Sequence, residues 1–171
     1  KTKILFLPWI NRENGEKSMD LINSNEASVV MGHLELNGFK MYKNSFCYHG
    51  MNHTIFNNYD LVMTGHYHHK STVGNIAYLG STYEITWADY NDPRGFHIFD
   101  TNTLDLEYHQ NSHKIFHKII YNDNGVETLD KIVKDFSFCK NSYVKVLVEA
   151  KNNPYLFDKF IDSIQLHEPF D

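Results

Sequence analysis

Three histidines fall within four positions of this chain, in the string GHYHH at residues 65–69. Successive side chains of a strand alternate faces, so His66 and His68 are predicted to project to the same side, roughly 6.6 Å apart at about 3.3 Å per residue. Two neutral imidazoles so placed can bind one metal ion together or two neighbouring ions separately. Spacing alone leaves both arrangements open. His69 points the other way and is predicted to be a surface or supporting residue.

A second Gly-His pair follows another apolar run. The string ASVVMGH ends in His33, just as YDLVMTGH ends in His66, and a glycine precedes each histidine. A glycine lets the backbone turn at a strand end and lets a ligand approach closely. Sites in α/β proteins form at the carboxyl ends of strands. We therefore predict that His33, His66 and His68 bind metal, although a single histidine at a strand end is more often a hydrogen-bonded structural residue.

The ligand types restrict the metal only in part. Imidazole without thiolate suits Zn, Mn, Fe or Ni, and neutral ligands leave the charge of the cation uncompensated, so carboxylates should complete the site. Four acidic residues are near in sequence, but none follows a strand as the histidines do, and we interpret them as surface acids: Glu35, Glu84, Asp89 and Asp92. A cupin-type site would require a Glu about four residues after the His-x-His pair, where Thr72 and Val73 stand instead.

The charge composition limits how the protein could act on a polyanion. Lys and Arg number 16 against 21 Asp and Glu, and the net charge of −5 argues against a protein that holds DNA by basic side chains alone. Phosphate chemistry would need local positive charge, for which bound metal ions are the obvious source. Arg94 in NDPRGF and Lys70 after the histidines are weaker candidates for phosphate contacts; the alternatives are a turn residue and a solvated charge.

The cysteines and the first residues indicate the cellular compartment. Cys47 and Cys139 are far apart and form no CxxC motif, which gives no support for a disulfide framework or a cysteine zinc site. The opening KTKILFLPWI is too short for a secretory signal or a membrane span. We therefore expect a piece of a cytoplasmic protein without membrane attachment.

Short apolar runs separated by polar turns must position these side chains. Helical spacing of apolar residues in GEKSMDLINSN (15–25) predicts a helix between the first two strands. The runs read as strands are KILFLPWI (3–10), ASVVMGH (27–33), YDLVMTGH (59–66), NIAYLGS (75–81), GFHIFD (95–100) and LDLEYHQ (104–110). Together they predict β-α-β units and an α/β core that occupies residues 1–112.

The pattern changes at residue 113. KIFHKIIY and SYVKVLVEA read as strands, and NPYLFDKFIDSIQL reads as a helix opened by Pro154. NGVETLDKIVKDF (124–136) predicts an amphipathic helix with Val126, Leu129, Ile132 and Val133 on one face. This β-α-β-α order predicts a small α+β domain over residues 113–171.

Several segments resemble one nuclease family in sequence and in order. FLPWINRENGE, VVMGHLELNGF, YDLVMTGHYHH and YLGSTYEITWADYNDPRGFHIFDT are similar to segments of SbcD and meiotic-recombination-eleven type subunits, which process DNA double-strand breaks. These subunits are calcineurin-like metallophosphoesterases, and the likeness is greatest to the recombination endonuclease subunits of T-even bacteriophages. It covers roughly residues 4–102.

The resemblance implies a β-sandwich metallophosphoesterase fold with helices outside, of which this chain would be the second half, followed by a DNA-capping domain at 113–171. In the family, Gly-His and Gly-His-x-His are the last two of five motifs that hold two metal ions. By resemblance His33 and His66 would bind one ion and His68 the other. The first three motifs, which supply the other ligands and the leaving-group histidine, are absent here. The implied catalytic contribution of the chain is therefore its metal ligands alone.

The resemblance also implies cofactors and partners. The whole protein would be a nuclease in recombination and repair with two divalent ions, Mn²⁺ being expected, whereas this chain alone would bind one ion or none and be inactive. Expected partners are double-stranded DNA, an SbcC-type coiled-coil ATPase and a second copy of the protein, in the host bacterial cytoplasm if the gene belongs to a phage. Two alternatives stay open: a phosphoesterase acting on nucleotides or phosphoproteins, and a non-catalytic binding module.

Overall fold

The computed structural model describes residues 1–43, 45–132 and 134–171, and the chain divides into two compact units, residues 1–112 and 113–171. The protein is α/β: it combines a mixed sheet with two α-helices in the part described. Each unit has its own hydrophobic core. The family's sandwich arrangement stays a prediction.

The first unit is built around one five-stranded sheet. The strands described in this unit are β1 (Ile4–Leu7), β2 (Val29–Gly32), β3 (Lys40–Tyr42), β4 (Ser45–Phe46), β5 (Leu61–Thr64), β6 (Ser71–Val73), β7 (Ile76–Tyr78), β8 (Gly95–Phe99) and β9 (Leu106–Gln110). The main sheet has the order β1-β2-β5-β7-β6. Its first four strands are parallel, and β6 pairs antiparallel with β7 at one edge. Two antiparallel hairpins, β3–β4 and β8–β9, complete the unit as described.

The central strands form because their side chains are almost entirely apolar. Val29, Val30 and Val62 are each 0% exposed, as in parallel strands buried on both faces. Helix α1 (Gly15–Ser24) connects β1 to β2 and buries Ile22 in the same core. The hydroxyl of Tyr59 donates a hydrogen bond to the carbonyl oxygen of Ile22 at 2.7 Å, which anchors the last turn of this helix.

The six strands and the helix predicted for this unit are all present, with shorter bounds than the apolar runs suggested. The short helical turn at His53–Phe56 is a 3₁₀ helix. Sequence patterning gave no indication of β3, β4 and β6. These strands have two or three residues each, too few to show alternation, and they are held by pairing with a neighbour.

The second unit contains a pair of parallel strands and one α-helix in the part described. Strand β10 (Phe116–Asn122) pairs with β11 (Tyr143–Ala150), and helix α2 (Pro154–Gln165) follows. The helix begins where predicted because the side chain of Asn153 accepts hydrogen bonds from the backbone N–H groups of Tyr155 and Leu156. Leu156, Phe160 and Ile164, spaced four residues apart, form its buried face.

The helix predicted over residues 124–136 is wrong as far as the structure describes it. The chain forms a 3₁₀ turn at Leu129–Lys131 and a second one at Ser137–Cys139. Short helices depend on tertiary packing more than on propensity, and here Ile132, Phe136 and Cys139 are each buried in the core of the unit. Val133 and the side chain of Leu129 lie outside the part described.

A buried carboxylate connects the two strands to the helix. Asp123, 2% exposed, accepts hydrogen bonds from the backbone N–H groups of Asn152 and Asn153 and from the hydroxyl of Tyr121. Burial alone would raise the pKa of this carboxyl, but these donors outweigh it and the pKa lies below its ordinary value. The loop that leads into α2 is therefore held by an anion. No described helix is long and apolar enough to span a bilayer.

We predict that Phe160→Ala lowers the free energy of unfolding of residues 113–171 by about 3–5 kcal/mol, because the substitution leaves a cavity around a fully buried ring. The matched control is Tyr155→Ala on the same helix, where the side chain is 67% exposed. Urea titration followed by NMR peak intensities of the second unit measures both. Equal losses for the two variants would contradict the described core.

Candidate metal centre

Three parallel strands end at the same level, and this register brings aromatic rings together. Leu7 at the end of β1 pairs with Gly32 at the end of β2, which pairs with Thr64 at the end of β5. The residues that follow these ends are therefore neighbours. Their rings form one cluster, in which Trp9 stacks on His33 with centroids 5.1 Å apart and meets His66 edge-on at 4.8 Å.

The two predicted ligands His33 and His66 lie side by side. Their ring centroids are 5.4 Å apart, with the rings nearly perpendicular. Gly65 makes this approach possible: a Cβ at position 65 would lie 3.0 Å from Nδ1 of His33, and the N–H of Gly65 donates to the carbonyl oxygen of Gly32 at 3.1 Å. The glycine before His66 is thus required by the ring of His33.

The backbone of His66 is in an unusual conformation. Its φ is +92°, in the region that favours glycine and that a residue with a Cβ adopts at a cost of about 1–3 kcal/mol. Strain of this kind persists where the surroundings determine the backbone, and it occurs often at functional sites. Here it turns the chain directly after Gly65 and sets the direction of the imidazole.

Buried hydroxyl groups hold the segment that follows His33. The hydroxyl of Tyr78 donates to the carbonyl oxygen of Leu34 at 2.7 Å and accepts from the N–H of Leu36 at 3.0 Å. The hydroxyl of Thr64 accepts from the N–H of Leu34 at 2.9 Å, and that of Tyr67 donates to the carbonyl oxygen of Leu36. Burial raises the pKa of both tyrosines, so their hydroxyls stay protonated donors.

His68 is held by a buried carboxylate. Its Nδ1 lies 3.3 Å from Oδ2 of Asp89, which is 0% exposed. The same oxygen accepts hydrogen bonds from the backbone N–H groups of Ile85 and Thr86, each at 2.9 Å. Burial alone would raise the pKa of Asp89, but these donors, with Arg94 and His68, lower it below its ordinary value. Asp89 is therefore an anion at neutral pH.

Arg94 lies in this buried cluster. Its side chain is 4% exposed, and its guanidinium donates to Asp89 at 2.9 Å and to Asp92 at 2.8 Å. Asp92 in turn binds Nδ1 of His69 at 2.8 Å. The burial of Arg94 argues against the phosphate contact predicted from the sequence, because both of its terminal nitrogens already bind groups of the protein.

The interpretation of the nearby acids as surface residues is wrong for three of them. Glu84, Asp89 and Asp92 are 2%, 0% and 5% exposed, because they lie in this cluster and not on a solvated turn. Glu35 is exposed and lines a small hollow with Trp9 and His33. The sequence signal that was overlooked is the string ADYNDPR, in which two acids precede an arginine within six positions.

Lys70, the other predicted phosphate contact, is exposed beside the histidines. Its ammonium lies 3.9 Å from the centre of the Tyr108 ring, a cation–π distance. A role in binding phosphate stays a prediction.

The electrostatic environment favours a neutral His66. Burial lowers its pKa, and the neighbouring imidazoles of His33 and His68 lower it further, against an opposing effect of Glu35. A neutral imidazole offers the lone pair that a metal ion requires. Below pH 6.5 protonation of this ring would remove that lone pair, so metal binding is expected to weaken as the solution becomes more acidic.

The residues 1–43, 45–132 and 134–171 contain no group of three histidine, cysteine or acidic side chains arranged to hold a metal ion. His33 and His66 are brought together, and His66 and His68 line a second hollow beside Tyr42. Nitrogen donors therefore fit part of a metal site and leave it incomplete. The ligand role of His33, His66 and His68 stays a prediction.

Comparison with known proteins gives two relatives. The chain is 35% identical over 160 residues to "Exonuclease subunit 1" of Enterobacteria phage T4, an alignment that covers 93% of this chain and 45% of the phage protein. It is 25% identical over 149 residues to the SbcD component of the nuclease SbcCD from Staphylococcus epidermidis, covering 83% of this chain and 37% of that protein. The chain thus spans less than half the length of these curated relatives. No protein-family profile matches it.

We predict that Gly65→Ala displaces the ring of His33 and lowers the free energy of unfolding by about 1–3 kcal/mol, because the added methyl group is too close to Nδ1. The control is Gly15→Ala at the start of α1, where a Cβ meets nothing within 4 Å. Imidazole chemical shifts of His33 and thermal unfolding report the two effects. Unchanged His33 shifts in the Gly65 variant would contradict the geometry.

The backbone of His66 gives a second prediction. His66→Gly should be more stable than His66→Ala by about 1 kcal/mol, since glycine adopts a positive φ without the penalty of a Cβ. At His109 in β9, which is not among the residues of positive φ, the same pair should show the opposite order. Denaturant midpoints of the four variants decide this. An alanine variant at 66 that is the more stable would show that the backbone is not strained.

Proposed function

We propose, from the relationship of this chain to SbcD-type nuclease subunits, that the protein is a metal-dependent nuclease that cleaves phosphodiester bonds of DNA. The observation that supports this most is the placement of His33 beside His66. Each lies directly after a buried strand whose end is level with the other, and Gly65 leaves space for the two rings to approach.

The cofactors of this proposal are two divalent metal ions, with Mn²⁺ as the expected metal. His33 and His66 would hold one ion and His68 the other, each as a neutral imidazole. The relatives are more than twice as long as the matched segments, and we propose that the remaining ligands lie in the part of such proteins that these segments do not include. When bound, such ions would activate a water molecule and stabilise charge on the phosphoryl oxygens.

The residues of this chain would prepare the site for those ions. The strand register and Gly65 fix the positions of the His33 and His66 rings, and the tyrosine hydroxyls keep the loop after His33 in place. Trp9 covers one side of both rings and limits the access of water. This agrees with a net charge of −5: ions and a few local cations, not a basic surface, would attract the DNA backbone.

The partners follow from the relatives alone. The name of the staphylococcal relative refers to an SbcCD assembly, and we propose an SbcC-type coiled-coil ATPase as partner, double-stranded DNA as substrate and a homodimer as the working form. Residues 113–171 would be the DNA-capping domain, and the protein would work in recombination and repair in a bacterial cytoplasm.

One observation favours a different function. The described residues do not assemble three ligands, which is what a non-catalytic binding module with inactive histidines would show. A phosphoesterase that acts on nucleotides or phosphoproteins would share the site but not the substrate. Both alternatives make different predictions from the nuclease proposal in the same assay.

We predict that the intact gene product degrades linear double-stranded DNA with Mn²⁺ and that His66→Ala reduces the rate by at least about 100-fold, because it removes an ion ligand. EDTA should abolish the activity. The control is His49→Ala, an exposed histidine outside the cluster, which should retain full activity. Release of labelled nucleotides over time measures the rate.

Three other results would contradict the nuclease proposal. DNA cleavage that persists in the His66 variant would mean that these histidines do not act. Turnover of a small phosphodiester but not of DNA would favour the phosphoesterase alternative. Absence of any hydrolysis, together with retained binding of DNA or a partner protein, would favour the binding module.

A further inference from the structure

A buried charge cluster lies behind His68, and neither its residues nor its role was expected from the sequence. Its members are two histidines, two aspartates and one arginine: His68, His69, Asp89, Asp92 and Arg94. The aspartates and the arginine are 5% exposed or less. Burying charges is costly unless they are paired and hydrogen-bonded, so an arrangement of this kind indicates a specific purpose.

We propose that Asp89, fixed in place by Arg94, is a positioning residue that keeps the proton of the neutral His68 ring on Nδ1 and leaves Nε2 free to bind a divalent cation. This inference rests on the proposed function, since it assigns a role to a neighbour of one predicted ligand. It adds a residue that touches neither cation nor substrate and that acts through His68.

The first step of the argument is the chemistry of the hydrogen bond. An ionised carboxylate can only accept, so a hydrogen bond between Oδ2 of Asp89 and Nδ1 of His68 requires a proton on Nδ1. In a neutral imidazole the other nitrogen then has the free lone pair. Metal-binding histidines commonly donate their second ring N–H to a carboxylate in this way, which fixes the tautomer and the orientation of the ring.

The second step is that Asp89 has no freedom to do otherwise. Its side chain is 0% exposed, and Oδ2 also accepts from the backbone N–H groups of Ile85 and Thr86 at 2.9 Å. Its Oδ1 accepts from the guanidinium of Arg94, also at 2.9 Å. All of these partners are donors, so the carboxylate is held as an acceptor at one position and in one orientation.

The third step concerns Arg94, which holds both sides of the contact. One terminal nitrogen binds the carboxylates of Asp89 and Asp92, and the other donates to the carbonyl oxygen of His68 and to the hydroxyl of Ser81. The same guanidinium therefore fixes the backbone of His68 and the carboxylate that binds its ring. The distance between the two is set by one rigid, planar group.

The remaining edge of the His68 ring is accessible. The side chain of His68 is 33% exposed, and it lines a hollow together with His66 and Tyr42. A ring that is anchored at one nitrogen inside the protein and open at a hollow shared with another predicted ligand has the arrangement expected of a preorganised donor.

The adjacent pair provides an internal comparison. His69 binds Asp92 through Nδ1 at 2.8 Å, and Asp92 binds the same guanidinium. His69 is not among the predicted ligands, and it does not line the hollow beside His66. Asp92 therefore has the same chemical surroundings as Asp89 and lacks only the contact with His68. Asp92→Asn is the matched control for Asp89→Asn.

The first experiment determines the tautomer of His68 in the chain without metal. Long-range ¹H–¹⁵N spectra of protein labelled at histidine nitrogens distinguish a protonated Nδ1 from a protonated Nε2, and His68→Gln assigns the signals. The proposal predicts the Nδ1–H form for His68. A predominantly Nε2–H form would overturn it. This measurement needs no variant of Asp89 to fold.

The second experiment measures Mn²⁺ binding to the intact gene product by calorimetry. Asp89→Asn should weaken binding by about 10- to 100-fold, the effect typical of losing such a partner, and should mix the tautomers of His68. Asp92→Asn should leave both the affinity and the His68 tautomer unchanged. Equal losses in the two variants would mean that the cluster has only a structural role and would overturn the proposal.

The outcomes separate this inference from the proposed function. Binding of Mn²⁺ by the wild type that is unaffected in Asp89→Asn, with the variant folded, would refute the positioning role and leave the nuclease proposal standing. No binding of Mn²⁺ by the wild type would refute the proposed metal site and with it the role of Asp89. If Asp89→Asn does not fold, the tautomer of the wild type decides the matter alone.

Discussion

The level ends of β1, β2 and β5 are the constraint on which the rest of the site depends. Because Leu7, Gly32 and Thr64 are partners in register, the residues that follow them meet at one edge of the sheet. A shift of one residue would exchange the faces of every side chain in the strand. The buried valines on both sides of the register therefore hold the histidines together as firmly as any contact between the rings.

Close approach at this edge is achieved by removing atoms and by straining the backbone. Gly65 leaves space for the ring of His33, and the positive φ of His66 turns its imidazole into the same cluster. Around this strained turn, the hydroxyls of Tyr67 and Tyr78 and the carboxylate of Asp89 form hydrogen bonds with neighbouring loops. Rigid support outside the ligands is what keeps a metal site in position before the ion binds.

Sequence reasoning reached the strands, α1, α2 and the two Gly-His ends because each leaves a local signal. Apolar runs mark strands buried on both faces, and Asn153 with Pro154 marks a helix start. It failed where tertiary contacts decide: Ile132 and Phe136 are packed into the core from a chain that is not an α-helix. It also placed Asp89 and Asp92 on the surface, since burial of an acid depends on a partner such as Arg94 that only the fold brings close.

The central claim is that His33 and His66 bind one divalent cation between them and that His68 binds its neighbour. Crystals of the intact gene product soaked with MnCl₂ test it most directly, through the anomalous scattering of the metal. The account predicts two anomalous peaks, one within coordination distance of His33 and His66 and the other within coordination distance of His68. Peaks elsewhere, with these three rings bound only to protein and water, would contradict it.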